Sequence, residues 1–259
     1  MILPFYNAEI NLEEAVRSII GQDYPDLEIL LVDDVSTDGS ARIAEELSRQ
    51  DPRIRILKHR ENQGAGPSRN TGVGQARGEF IFFLDSDDLL KPGALKLLHE
   101  ARARERVDVV VGSCDQIDEE GCVSGHDLAF NPGGEDAFGL AEGEEAVRRW
   151  LQVDGLFLPV RPWGMLIRSS VYRDSGLDFS PGEHEDLTFT PFLYKYAGRV
   201  LYLRDIVVTY RIRQGSIINS PQNPAKMARY RGVWRDTVAR LPRFGLEDYR
   251  REFKIFHLN

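Results

Sequence analysis

Phe80-Ile81-Phe82-Phe83-Leu84 runs directly into Asp85-Ser86-Asp87-Asp88. An unbroken apolar run bounded by turn formers reads as a strand buried on both faces, as at the centre of a parallel sheet. The carboxylates that follow fall at the C-terminal end of that strand, where open α/β sheets hold their ligands. So much negative charge in one place is costly unless a cation or a hydrogen-bonding ligand offsets it. A solvated acidic loop is the alternative reading.

Working outward, the same alternation repeats. Leu12, Ala15, Val16, Ile19 and Ile20 have helical spacing, with Asn11 and Glu14 as a capping box and Gly21 at the far end. Glu28–Val32 is a buried strand ending in Asp33-Asp34, and Ser36–Ser40 is a turn opening a helix with Ile43, Ala44 and Leu47 inside. Arg53–Leu57 reads as a short strand, a glycine-rich connection leads into a helix through about Ala76, and Pro92 sits in the first turn of another helix. Val107–Val111 is a further strand. Strands alternating with helices predict a mostly parallel sheet covered on both faces. The first strand has only Met1-Ile2-Leu3 before Pro4, which implies a natural protein starting a few residues earlier, or an excised domain. The stretch from Asp118 to Glu145 reads as a long loop or insertion, Glu144–Leu151 as a helix, and the chain from Gln222 onward as helical and basic.

The 259 residues suffice for one large α/β domain or two small ones, and 42% hydrophobic with 29% charged residues is the composition of a globular chain with a core. A net charge of -8 argues against nucleic acid as a partner. No run approaches the ~18 apolar residues of a membrane span, and no signal peptide is recognisable, so the cytoplasm is the expected compartment. Cys114 and Cys122 lack metal-site spacing and read as free thiols. Where a dinucleotide-binding protein would carry G-x-G-x-x-G, this chain has Pro4-Phe5-Tyr6-Asn7.

Five motifs stand in order: P-F-Y-N at 4–7, V-D-D-x-S-T-D-G-S at 32–40, N-Q-G-x-G-x-S-R-N-x-G at 62–72, L-D-S-D-D at 84–88 and H-E-D-L-T-F at 184–189, with Tyr210-Arg211-x-Arg213-x-x-Ser216 beyond them. Together they resemble the family 2 glycosyltransferases, inverting enzymes of the GT-A fold. The resemblance covers about residues 1–216 and implies a Rossmann-like α/β/α sandwich. In it, 1–112 would be the nucleotide half, 113–216 the acceptor half and 217–259 a helical C-terminal extension. The implied activity is transfer of a sugar from a nucleotide-diphosphate donor, usually a UDP-sugar, to a hydroxyl of a glycan or lipid-linked acceptor in envelope or capsular polysaccharide synthesis. Position by position, Asp34 matches the aspartate that hydrogen-bonds the base, Pro4 and Tyr6 the walls of the base pocket, and Gly66 the loop beside it. Asp85 matches the ribose contact, Asp87 the ligand of Mn²⁺ or Mg²⁺, and Asp186 the general base. Arg211 and Arg213 would lie near the diphosphate or in a lid over it, although many relatives carry His near the Arg213 position.

Each role has a plainer rival. Asp34 and Asp186 also suit caps. Arg69 fits ligand binding, a surface position or a structural ion pair. Trp163 fits either a sugar platform or the core. Glu185 is read as binding acceptor or orienting its loop, and His184 as a supporting residue. If Glu185 and Asp186 open a helix, their side chains diverge by about 100° and only one faces the reacting carbon. The basic tail, with Tyr230, Trp234 and Phe244, fits a helical cover over the sheet, or peripheral contact with the inner face of an anionic membrane. A sugar nucleotidyltransferase and a silent nucleotide- or glycan-binding domain are the competing functions.

Overall fold

The computed structural model describes residues 1–118, 121–126, 138–150, 161–182, 185–212 and 224–250. The order is β1 Ile2–Phe5, α1 Leu12–Ile20, β2 Ile29–Asp33, α2 Ser40–Gln50, β3 Ile54–Lys58, α3 Ala65–Gln75, β4 Phe80–Ile81, β5 Leu89–Leu90 and α4 Ala94–Glu105. The second half continues with β6 Val109–Ile117, β7 Val123–His126, β8 Gly139–Glu142, α5 Gly143–Trp150, β9 Met165–Arg168 and α6 Ser169–Ser175. It ends with a 3-10 turn at Glu185–Thr188, α7 Thr190–Tyr196, β10 Arg199–Arg211, α8 Pro224–Arg240 and short 3-10 turns at Leu241–Phe244 and Glu247–Tyr249.

β1, β2 and β3 pair in parallel in that order. On its other side β1 meets the run after β4, where Ile2 donates to the Phe82 carbonyl (2.9 Å) and accepts from the Leu84 amide (3.1 Å). The chain thus steps outward from β1 to β3, then returns past β1. Right-handed crossovers place α1 and α2 on one face and α3 on the other, which makes the β1/β4 boundary the switch point where such sheets bind ligands. The apolar run is buried as expected at Ile81, Phe82, Phe83 and Leu84, but only Phe80–Ile81 is a strand, paired antiparallel with β9, and Phe83 makes a single bridge to Ile2. β1 is longer than expected because it continues through Pro4 to Phe5. Residue 2 turns its amide and carbonyl toward Phe82 and Leu84, so residue 4 faces the same way. Proline has no amide to offer there, and pairing on that side stops.

The second half is more antiparallel than the sequence predicts. β9 pairs antiparallel with β4 and β6, β10 runs parallel to β6, and β5 and β8 pair antiparallel with β10. Part of the expected insertion is therefore sheet, as β7 and β8. The capping box is not formed: Asn11 makes no side-chain cap, and Glu14 pairs with Arg211 instead (2.7 Å).

The C-terminal extension packs onto this frame. Trp234, Thr237, Leu241, Phe244 and Leu246 are buried, and the Phe244 ring stacks on Phe192 at 4.3 Å. Arg240 pairs with Asp178 and donates to Ser180 Oγ, and Arg243 donates to the Gly176 carbonyl. Trp234 and Phe244 thus belong to the core, and the membrane reading loses them as anchors. Among the described residues no helix is long and apolar enough to cross a membrane.

Candidate functional site

Two loops at the C-terminal edge of β1 and β2 clasp each other. Asn7 Oδ1 accepts the Thr37 amide (2.8 Å), Ser40 Oγ accepts the Ala8 amide (2.8 Å), and Glu9 Oε2 accepts the Gly39 amide (2.7 Å). Asn7, Thr37 and Ser40 of the two motifs, with Glu9 beside them, therefore serve first to hold the two loops together. They leave the Tyr6 ring 51% exposed beside the switch point. Pro4 is buried inside β1 and is not an open wall of a pocket.

Asp34 is 3% exposed, and its carboxylate is engaged from within. Oδ1 meets His59 Nδ1 (2.8 Å) and accepts the Gln63 amide (2.9 Å), while Oδ2 accepts the Gly64 amide (2.7 Å). His59 Nε2 in turn meets Thr71 Oγ1 at 2.8 Å. Asp34 shapes the 62–64 loop and does not cap the helix after its own strand, whose N-cap is Gly39. His59 went unrecognised in the sequence, because a lone histidine after a strand carries no pattern of its own.

Arg69 draws three motifs together. It lies on α3, 3% exposed, and donates through one arm to Asp85 Oδ1 (2.6 Å) and through the other to Glu185 Oε1. Burial alone would lower its pKa, but the carboxylates of Asp85 and Glu185 outweigh burial and raise it. Its Nε is buried without an acceptor, and the guanidinium lies 5.3 Å from the Phe179 ring centre. Gly66, expected beside the base, is needed elsewhere. A Cβ there would stand 2.5 Å from the Ser180 carbonyl oxygen and 3.1 Å from Glu185 Cγ. Asn70 completes the clamp, donating to the Phe179 carbonyl and accepting its amide (2.8 and 2.9 Å). Glu185 and Asp186 open a 3-10 turn and not an α-helix, so their side chains diverge by about 120°.

Asp88 is the third carboxylate of the acidic turn and the most buried. Its Oδ1 accepts the Arg211 amide (3.0 Å), while Oδ2 is buried with no hydrogen-bond partner. Burial, then the neighbouring charges of Asp87 and Asp85, push its pKa well above the ordinary carboxylate range. Arg211 also donates from Nε to the Asp87 carbonyl (3.1 Å) and pairs with Glu14, so it braces the acidic turn from β10. A divalent cation fits this donor set, because hard oxygen ligands and a buried oxygen lacking a partner gather in one turn. Among the described residues no three His, Cys, Asp or Glu side chains form a metal cage by themselves. Trp163 is 6% exposed, stacked on Tyr210 at 5.6 Å and lying under the Arg161 guanidinium at 4.2 Å. It is a core residue with little ring left for a sugar. His184 and Arg213 lie outside the described residues.

Residues 1–150 match the model of the family described as "Glycosyl transferase family 2". Over 230 residues the chain is 33% identical to the glycosyltransferase GlyG of Streptococcus pneumoniae serotype 4, covering 85% of this chain and 72% of GlyG. Over 125 residues it is 41% identical to the GalNAc(5)-diNAcBac-PP-undecaprenol beta-1,3-glucosyltransferase of Campylobacter jejuni, covering 48% of this chain and 40% of that protein. The fold resembles that of S. aureus TarS 1–349 in complex with UDP-GlcNAc, with a TM-score of 0.77, 23% identity, and cover of 100% of this chain and 70% of that one. Across the curated relatives the chain spans from 31% to 73% of their length.

Proposed function

The chain belongs to glycosyl transferase family 2 and is a glycosyltransferase of the GT-A fold, and from that premise we propose that it moves a sugar, with inversion, from a UDP-sugar to an acceptor hydroxyl. The observation that carries this reading is the Arg69 bridge, which brings Asp85 of the acidic turn and Glu185 of the distant 3-10 turn to one guanidinium. The bridge holds the turn that carries Asp186 next to the acidic turn at the switch point, which supports a donor-binding and a proton-accepting carboxylate on neighbouring turns. The relatives' names support a glycan or lipid-linked acceptor and a role in cell-surface polysaccharide synthesis. On this reading 1–216 is the catalytic unit, 1–112 holding donor and 113–216 acceptor, with 217–259 as the extension.

In this mechanism Tyr6 covers the base, while Asp34 bounds the base pocket through the loop it shapes. Asp85 orients the ribose. Asp87, with Asp88 behind it, would hold Mn²⁺ or Mg²⁺, and such an ion neutralises charge on a diphosphate leaving group. Arg211 keeps the acidic turn in place. Glu185 pairs with Arg69, and Asp186, at the position that matches the family's general base, accepts the proton of the attacking hydroxyl from within about 3 Å. The hydroxyl oxygen bonds to the anomeric carbon as the bond to the diphosphate oxygen breaks on the opposite face, and the single displacement inverts that centre.

The test is UDP release from a panel of UDP-sugars, with Mn²⁺ and with EDTA. Release from one donor that stops with EDTA is expected. Release undiminished by EDTA would reject the cation, and binding of the donors without release in the presence of simple acceptors would favour a silent binding domain.

A further inference from the structure

Arg69 is buried, and both arms of its guanidinium are taken up by carboxylates of the protein itself. Its helix is seated at one end by Gly66 against Phe179, Ser180 and Glu185. Further along, a Cβ at Gly72 would stand 2.4 Å from Ile2 Cγ2, so α3 also lies directly on β1. The guanidinium therefore has little freedom, and its two arms span the acidic turn and the first residue of the 3-10 turn. Removing that cation would leave Asp85 and Glu185 as like charges with nothing between them, and the 3-10 turn would move away. Asp186 is the next residue of that turn, so any movement of Glu185 is passed to it.

We propose that Arg69 is a positioning residue that sets the distance between the donor-holding acidic turn and the Asp186 turn, acting through Asp85 and Glu185 and not through the donor. The proposal deepens the function proposed above and rests on its reading of Asp186 as the base. Misplacement of a reacting group by about 1 Å costs on the order of 10²-fold in rate, so the effect falls on turnover.

The full chain with Arg69→Lys, Glu185→Gln, both together, and Asp186→Asn tests this by three readouts: UDP affinity with Mn²⁺ by calorimetry, kcat and KM by UDP release, and amide hydrogen exchange. Arg69→Lys keeps the charge but loses the two-armed fork. It is expected to lower kcat by roughly 10- to 100-fold while UDP affinity, touched only through the Asp85 contact to the ribose, falls far less. The double variant should be no worse than Arg69→Lys alone, because both act on one link. Exchange at the Phe189 amide, which closes the turn onto the Asp186 carbonyl at 3.1 Å, should quicken while the β2 amides stay protected. UDP affinity falling in step with kcat overturns the proposal in favour of direct ligand binding, and so does a double variant whose losses multiply. If Arg69→Lys does not fold, Glu185→Gln decides by itself: unchanged kcat and unchanged Phe189 exchange overturn the role. Undiminished transfer by Asp186→Asn overturns the base reading, while Phe189 exchange still reports on the Arg69 link. Lost transfer there, with full turnover in Arg69→Lys, overturns the positioning role alone.

Discussion

Asp34, Asp88 and Asp186 are carboxylates of the proposed site, and substituting each should give a different signature. Asp34 accepts two backbone amides and meets His59. Asp34→Asn leaves at least one buried donor without its acceptor, so it should destabilise the chain by about 1–3 kcal/mol and weaken UDP binding as well. Unchanged thermal stability would show that the loop does not depend on it. Asp186→Asn should keep UDP and Mn²⁺ binding and lose transfer by roughly 10² or more, as read by UDP release. Asp88 responds to pH. Its folded-state pKa is raised, so the native chain keeps a proton where the unfolded chain, with a value near 3.9, has lost it. The stability this proton provides is complete below about 3.9 and is lost as pH rises through the folded value. Asp88→Asn should therefore raise the melting temperature at neutral pH in EDTA, with the gain vanishing in acid. An equal gain at both pH values would contradict that account.

At the scale of elements, α3 is the joint of the site. Its sequence, rich in glycine and poor in apolar residues, is an unpromising helix by propensity alone, and its reason lies in contacts. Gly66 allows Phe179, Ser180 and Glu185 to approach, Gly72 allows β1 to approach, Arg69 and Asn70 bond to Glu185 and Phe179, and Ser68 bonds back to the Gly64 carbonyl. Gly72→Ala should cost about 1–3 kcal/mol through overpacking against Ile2, measured as a shifted urea midpoint at unchanged slope. The family resemblance set Gly66 in the loop beside the base, but its packing partner was not legible: the backbone of Ser180 lies against it.

At the scale of the molecule, the extension belongs to the folded body. Trp234 is buried, and the residues after it cover Phe192 near the 3-10 turn. Trp234→Ala should destabilise by about 3–5 kcal/mol and lower turnover at temperatures where the wild-type chain is still active. Loss of anionic-vesicle binding with stability unchanged would instead restore the membrane reading. The basic residues of the tail showed in the sequence, but which of them pair with the frame did not. Arg240 finds Asp178, and Arg243 finds the Gly176 carbonyl, only once the tail has folded back.

The sequence by itself determined the alternating strands and helices of the first half, the buried run before the acidic turn, and which carboxylates the site has available. Those follow from apolar periodicity and turn chemistry, which act over a few neighbouring residues. Only the tertiary structure decided what each carboxylate does: Asp34 turned inward to its loop, Glu185 held by Arg69, and Asp88 buried beside Asp87. It also decided the antiparallel second half, where β9 and β5 pair with strands distant in the chain. The physical reason is that a side chain's charge, burial and partners depend on segments far apart in sequence meeting in space, and no local pattern encodes which ones meet.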